Sequence, residues 1–155
     1  MFKISTKHSV NVSIVLAVLF FGVIIAGLVI LPGFVSAAME FPTPRMENTT
    51  GLDKNLILSL GYIALAIVTV IDVMLLKLLF RVKVDLVFTP ESISLIRLIA
   101  WCVVLLGLVF LVLGWYFLIS FFAAFACVFL GICLRVVKNV IEKATEIKTE
   151  NDYTI

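Results

Sequence analysis

Three long apolar runs carry most of the chain. The first extends from Val10 to Leu31 and meets Pro32-Gly33, and the second extends from Leu56 to Phe80 with Asp72 and Lys77 inside it. The third, Leu98 to Leu134, contains no charged residue. A helix that crosses a bilayer needs about 20 mainly apolar residues, so the first two runs each predict one span. As one helix the third run would be about 55 Å long at about 1.5 Å per residue, far more than the ~30 Å of hydrocarbon in a bilayer. It must reverse, and Gly114-Trp115-Tyr116 is the place. Glycine permits the turn, and Trp and Tyr favour the membrane–water boundary. Upstream, Thr89 is a plausible N-cap with Pro90 at the first helical position.

The pattern therefore predicts an all-α fold, a single membrane domain formed by a four-transmembrane-helix bundle with a cytoplasmic helical C-terminal extension. The spans fall at about 10–31, 56–80, 93–113 and 116–135. An outer loop (32–55), a cytoplasmic connection (81–92) and a cytoplasmic tail (136–155) complete it. The connection alternates as Arg-Val-Lys-Val-Asp-Leu-Val-Phe, which beside a membrane reads as an interfacial segment rather than a strand. The tail keeps a helical period through Val137, Val140, Ile141, Ala144 and Ile147 and is expected to fray at Thr149–Asp152. The outer loop holds Pro42, Pro44 and a glycosylation-type sequon, Asn48-Thr49-Thr50, a pattern short enough to arise by chance.

Composition turns the spans into a class. Of 155 residues, 63% are hydrophobic and 14% charged, against about 45–50% and 25% in ordinary soluble domains. A soluble core of this size could not hide that excess, so lipid is the solvent. Val35-Ser36-Ala37 resembles a signal-peptide cleavage site, but the preceding apolar stretch exceeds the usual signal core, and the first helix is read as retained.

Charge sets the direction. Lys3, Lys7, Lys77, Arg81, Lys83, Arg97, Arg135, Lys138, Lys143 and Lys148 fall on one side, and Arg45 and Lys54 on the other. The positive-inside rule then predicts both termini and the second connection on the cytoplasmic side of the membrane. The net charge of +2 and the scattered basic residues give no nucleic-acid footprint.

Candidate chemistry is sparse. No HExxH, GxSxG or phosphate-binding glycine loop is present, and no catalytic residue, cofactor site or metal site is predicted. Cys102, Cys127 and Cys133 lack CxxC spacing and read as small apolar side chains. Glu142, Glu146 and Glu150 read as a solvated helix face.

Asp72 is the most informative position, because a carboxylate inside a span is costly. It reads as a proton or cation site or switch, as one half of an intramembrane pair with Arg97 that fixes helix register, or as a neutral acid bonded to a hydroxyl such as Ser94. The pairing is favoured over the functional reading, since transport ordinarily needs more than one intramembrane polar group. Ala123, Cys127 and Gly131 recur every fourth residue, and Gly22 and Ala26 form a shorter version. Such small-residue stripes serve helix packing within a monomer or, alternatively, a homo-oligomer seam.

The C-terminal two-thirds resembles a bacterial membrane family known as domain of unknown function two-nine-seven-five. The likeness rests on LFRVKVDLVFTPESISLIRLIAW (Leu79 to Trp101), on Gly131 to Lys138 where the last span runs into a charged helix, and on the ending TENDYTI, with Tyr153 where leucine is usual. The first span and outer loop match only in length and hydropathy. The resemblance implies a small four-span protein whose gene often lies beside one for an Xre-type helix-turn-helix regulator. It implies no catalytic residue. On that likeness the expected role is a non-enzymatic sensor or regulatory partner of a cytoplasmic helix-turn-helix regulator, with Glu150, Asn151, Asp152, Tyr153, Thr154 and Ile155 as a docking element. The rival expectation is a small transporter, channel-like or immunity/stress protein acting as an oligomer. A transporter should show a polar path through Asp72, and a regulator a closed apolar bundle with an ordered platform made by 81–94 and 135–155.

Overall fold

The computed structural model describes residues 6–40 and 51–153, with side chains for 8–40 and 53–150. Lys3, Pro42, Pro44, Arg45, the Asn48 sequon, Thr154 and Ile155 lie outside the described residues. Among those described, the chain forms four α-helices in the order α1 (Thr6–Glu40), α2 (Gly51–Lys83), α3 (Pro90–Leu113) and α4 (Leu118–Tyr153). All four are long and apolar enough to cross a membrane. Their surfaces carry large apolar side chains that water would not tolerate in such number: Val29 and Ile119 are each 78% exposed and Phe129 is 66% exposed. Within hydrocarbon only closed backbone hydrogen bonding is viable, and a helix meets that demand inside one segment. The protein is a multi-pass, all-α membrane protein.

Thr89 caps α3 as its sequence suggests. Its backbone is extended, its hydroxyl accepts from the Ser92 N–H, and Pro90 occupies the first turn. The third apolar run reverses at 114–117, where the Gly114 N–H donates to Phe110 O. A Cβ on Gly114 would lie 3.2 Å from Phe121 Cα, so the turn brings α4 against α3 at a distance that suits glycine.

Helix bounds differ from the sequence expectation at several points. α1 does not stop at Pro32 but runs through it to Glu40, so the predicted outer loop begins later than residue 32. Proline is tolerated here because lipid penalises an opened backbone more than one missing N–H. The residues that follow remain apolar, and Ser36 Oγ donates to Pro32 O at 2.9 Å. α2 is also longer than expected at both ends. α4 stays helical through 149–152, where fraying was anticipated.

Packing follows chain order. α1 packs on α2, α2 on α3, and α3 on α4, and among the described residues the backbone of α1 comes close to neither α3 nor α4. The bundle is therefore open between α1 and α4, not the closed apolar bundle expected of a regulator, because α1 is held by α2 without α4 closing on it. Gly27 faces Leu65 and Gly61 faces Leu31, which makes α1 and α2 antiparallel. Gly107 faces Ala124, Cys127 and Val128 while Gly131 faces Ala100 and Val104, so α3 and α4 are antiparallel too. Arg81–Ser92 at one end and Asp53–Tyr116 at the other give α2 and α3 the same relation. The start of α1, the α2–α3 turn and the end of α4 thus share one end of the bundle, called here the Arg81 end. A cluster of Val35, Ile57 and Leu113 closes the core near the opposite, Tyr116, end.

Candidate functional site

The α2–α3 turn occupies 84–89, between the end of α2 and the start of α3. Asp85 sits at φ 58°, the left-handed region, which aspartate enters more readily than most residues. The Leu86 N–H donates to Arg81 O at 2.9 Å and the Asp85 N–H to Val82 O at 3.2 Å. That pair of bonds is a Schellman cap, with aspartate in the place glycine usually takes. Leu86 O, turned back by the cap, accepts from Ser92 Oγ at 2.8 Å and from Thr89 Oγ1 at 3.1 Å.

Arg81 then locks the turn. Its Nε donates to Ser92 Oγ at 3.1 Å, one Nη to Thr89 Oγ1 at 3.2 Å, and the other Nη meets Glu91. Ser92 is fully buried while Glu91 is 73% exposed. The exposed ion pair adds little; the hydroxyl bonds hold the corner. Arg81→Ala is expected to cost about 1–2 kcal/mol from these bonds. Hydrogen exchange checks it: amides of 84–95 should exchange faster, with those of α1 unchanged.

α4 reaches the same corner from the other side. Arg97 Nη2 lies 3.6 Å from Glu142 Oε1, and Lys138 Nζ donates to Glu142 Oε2. Arg135 stacks over Trp101 with its guanidinium carbon 4.3 Å from a ring centroid, and Lys148 Nζ lies 5.9 Å from the Phe88 ring. An arginine against a tryptophan gains a cation–π attraction and suits the membrane boundary. Beyond it, the α2–α3 turn and the last turns of α4 form one platform that mixes charged side chains with the exposed apolar ones of Val84, Leu86, Phe88 and Ile147.

Asp72 is buried, 2% exposed, and its Oδ2 has no hydrogen-bond partner. The expected pair with Arg97 is not formed, because Arg97 binds Glu142 instead. The antiparallel register brings Asp72 level with 98–101, so depth is not the obstacle. Direction is: Ile96, Ile99 and Ala100 are buried in the bundle, whereas Arg97 lies one residue, or about 100°, round the helix and is 56% exposed. Ser94 does not serve Asp72 either, since its hydroxyl donates to Glu91 O at 2.8 Å.

The small-residue positions separate. Cys127 and Gly131 lie in the α3–α4 contact, beside Ala124, and Ala123 is half-buried. Gly22 has nothing within 4 Å of where a Cβ would stand, and Ala26 is exposed, so neither packs inside the monomer. Glu150 is exposed, and Asn151–Tyr153 continue the helix. Cys102, Cys127 and Cys133 are free thiols. Among the described residues, no three His, Cys, Asp or Glu side chains converge on a possible metal position.

At the opposite end, Tyr116 Oη donates to Asp53 Oδ1 at 3.1 Å, tying the α3–α4 turn to the start of α2. Burial, with the Asp53 carboxylate beside it, pushes the phenol above its ordinary 10.0. The neutral phenol is thus favoured in the folded state. Its contribution is complete below pH 10 and is lost as pH rises through the elevated value. Thermal melts from pH 8 to 11 should show wild type falling at the alkaline end, and Tyr116→Phe lower by about 1 kcal/mol at pH 8 without that alkaline fall.

The Arg81 lock, the Asp85 cap and the Glu142 junction were not singled out in the sequence. Asp85 between a basic run and Thr89-Pro90 was the available signal for the cap; nothing local marks Glu142 as the partner of Arg97. A family model matches residues 35–155 and is described as protein of unknown function (DUF2975). No curated protein and no solved structure matches the chain.

Proposed function

The chain belongs to the family described as protein of unknown function (DUF2975), and from that premise we propose that it is a non-enzymatic membrane protein that holds or controls a cytoplasmic partner at its Arg81 end. The partner we propose is a helix-turn-helix transcription regulator, with the Arg81 end and both termini in the cytoplasm of a bacterial membrane. One observation carries the reading: α3 and the α2–α3 turn each meet the α4 extension side chain to side chain, through Arg97–Glu142 and Phe88–Lys148 respectively. A platform serves docking better than a loose tail, because less ordering entropy is lost on binding. The docking element we propose includes Glu150 to Ile155. Signalling would require two bundle states with different contacts to the partner, and the unsatisfied carboxyl of Asp72, packed at the α2–α3 level from which the platform rises, is the internal group we assign to that switch.

Photocrosslinking in native membranes tests this. A crosslinking residue at Lys143 or Glu146, both exposed, should capture a helix-turn-helix protein. Capture of copies of this chain alone counts against the proposal.

A second reading, a small oligomeric transporter, channel-like or immunity/stress protein, is favoured by one feature: Asp72 is buried with an oxygen that nothing in the described protein satisfies. Against it, the large cavity in the bundle is walled by apolar side chains and does not include Asp72. Proton or cation flux into sealed vesicles that disappears in Asp72→Asn would favour the transporter over the regulator.

A further inference from the structure

The opening between α1 and α4 holds a cavity of about 500 Å³ in the half of the bundle nearer Tyr116. It runs from Val23 to Val35 along α1 and from Ile57 to Val68 along α2, with Phe110 of α3 and Phe117 of the α3–α4 turn behind it. Ile119 and Ser120 of α4 stand on the far side. Eleven or twelve helical residues measure about 17 Å, close to one leaflet of hydrocarbon, about 15 Å.

We propose that this groove binds one acyl chain of an anionic phospholipid, with the phosphate at Lys54. Three observations identify the occupant. First, the walls are carbon apart from the Ser120 hydroxyl, so water finds too few partners to stay. An empty slot would forfeit the packing contacts of every wall residue. Second, the volume divided by the length leaves a cross-section of about 30 Å² over about one leaflet, the form of a single extended hydrocarbon chain. Third, Lys54 stands on the same face of α2 as Gly61 and Val68, one turn beyond Ile57 at the polar end of the groove. It is exposed and has no ion pair among the described residues, so an anionic headgroup supplies the complementary charge.

The groove exists because its walls are small where the helices meet. Gly27 and Gly61 let α1 and α2 close on each other, with a Cβ on Gly61 only 3.0 Å from Leu31 Cδ2. The backbone of α1 then stays close to α2 alone and leaves the side toward α4 open.

The test uses the full chain in nanodiscs of phosphatidylcholine and phosphatidylglycerol at four to one, followed by native mass spectrometry. Wild type should retain one phosphatidylglycerol per chain. Ala26→Trp, and independently Val23→Trp, fill the groove from exposed positions and should cut retention at least tenfold. Val29→Trp adds the same bulk at an exposed position outside the groove and should retain lipid as wild type does; helix content by circular dichroism confirms that each variant is folded. Lys54→Gln should keep a lipid but lose the preference for phosphatidylglycerol. Wild type that retains no lipid overturns the proposal. So does equal retention in the folded Ala26→Trp and Val23→Trp variants, or a lipid-free dimer crosslinked through this groove.

Discussion

Gly131→Leu is expected to separate α3 from α4 and to lower stability by about 3 kcal/mol, the upper range for overpacking a tight contact. A Cβ at Gly131 would stand 2.6 Å from Val104 Cγ2 and 3.4 Å from Ala100 O. Valine holds one strongly preferred rotamer in a helix, so it cannot swing aside without strain. Even alanine meets that contact, and its gain of about 1 kcal/mol in helix propensity offsets only part of the clash. The consequence reaches the platform, because Arg97–Glu142 and Trp101–Arg135 bridge the same two helices. Thermal unfolding in detergent reads the stability, and partner capture from Lys143 reads the platform. Adding Val104→Ala should restore most of both. Gly22→Leu is the contrast: with nothing within 4 Å of its Cβ position, it should leave stability unchanged or slightly raised. Equal losses at Gly22 and Gly131 would show that the α3–α4 seam is not the close contact described.

Asp72→Val should raise stability by about 1–2 kcal/mol while abolishing the proposed partner control. The carboxyl is withdrawn from solvent with Oδ2 unbonded, and an unsatisfied buried polar group costs about 1–3 kcal/mol. Valine removes that cost and adds little volume, so overpacking takes back only a part. A substitution that stabilises a fold and silences it is the signature of a group kept for its function. Asp72→Asn preserves the shape and should also silence the output. Equilibrium unfolding and partner capture from Lys143 are the two readouts. A valine variant that melts below wild type, with capture intact, would return Asp72 to a purely structural role.

Much of the architecture is legible along the chain. Hydropathy yields four spans because each span is a local property of about 20 residues facing one solvent. The break in the uncharged run and the start of α3 are legible for the same reason: Gly114-Trp115-Tyr116 and Thr89-Pro90 act on their immediate neighbours. The family likeness of 79–101 falls on the segment that folds as the Arg81 corner and the first half of α3, so the sequence marks the region even though it does not show how Arg81, Thr89 and Ser92 join.

Direction around each helix is a different matter. In water an amphipathic stripe tells which side faces the core; in a bilayer the lipid-facing side is as apolar as the packed side, and the stripe vanishes. Depth along α2 and α3 rightly put Asp72 and Arg97 near one level, yet azimuth sends Arg97 to Glu142 and leaves Asp72 inside the bundle. The same ambiguity hid the fate of the two glycine stripes, since Gly131 and Gly22 lie in equally hydrophobic sequence but only Gly131 meets a neighbour. Pro32 misled for a related reason: a residue that ends helices in water is carried within one when the surrounding solvent cannot hydrogen-bond an opened backbone. Local chemistry and hydropathy thus set span number, turns and antiparallel order, while the choice of neighbours, the groove left between α1 and α4, and the partner of every charged group near the boundary came from packing alone.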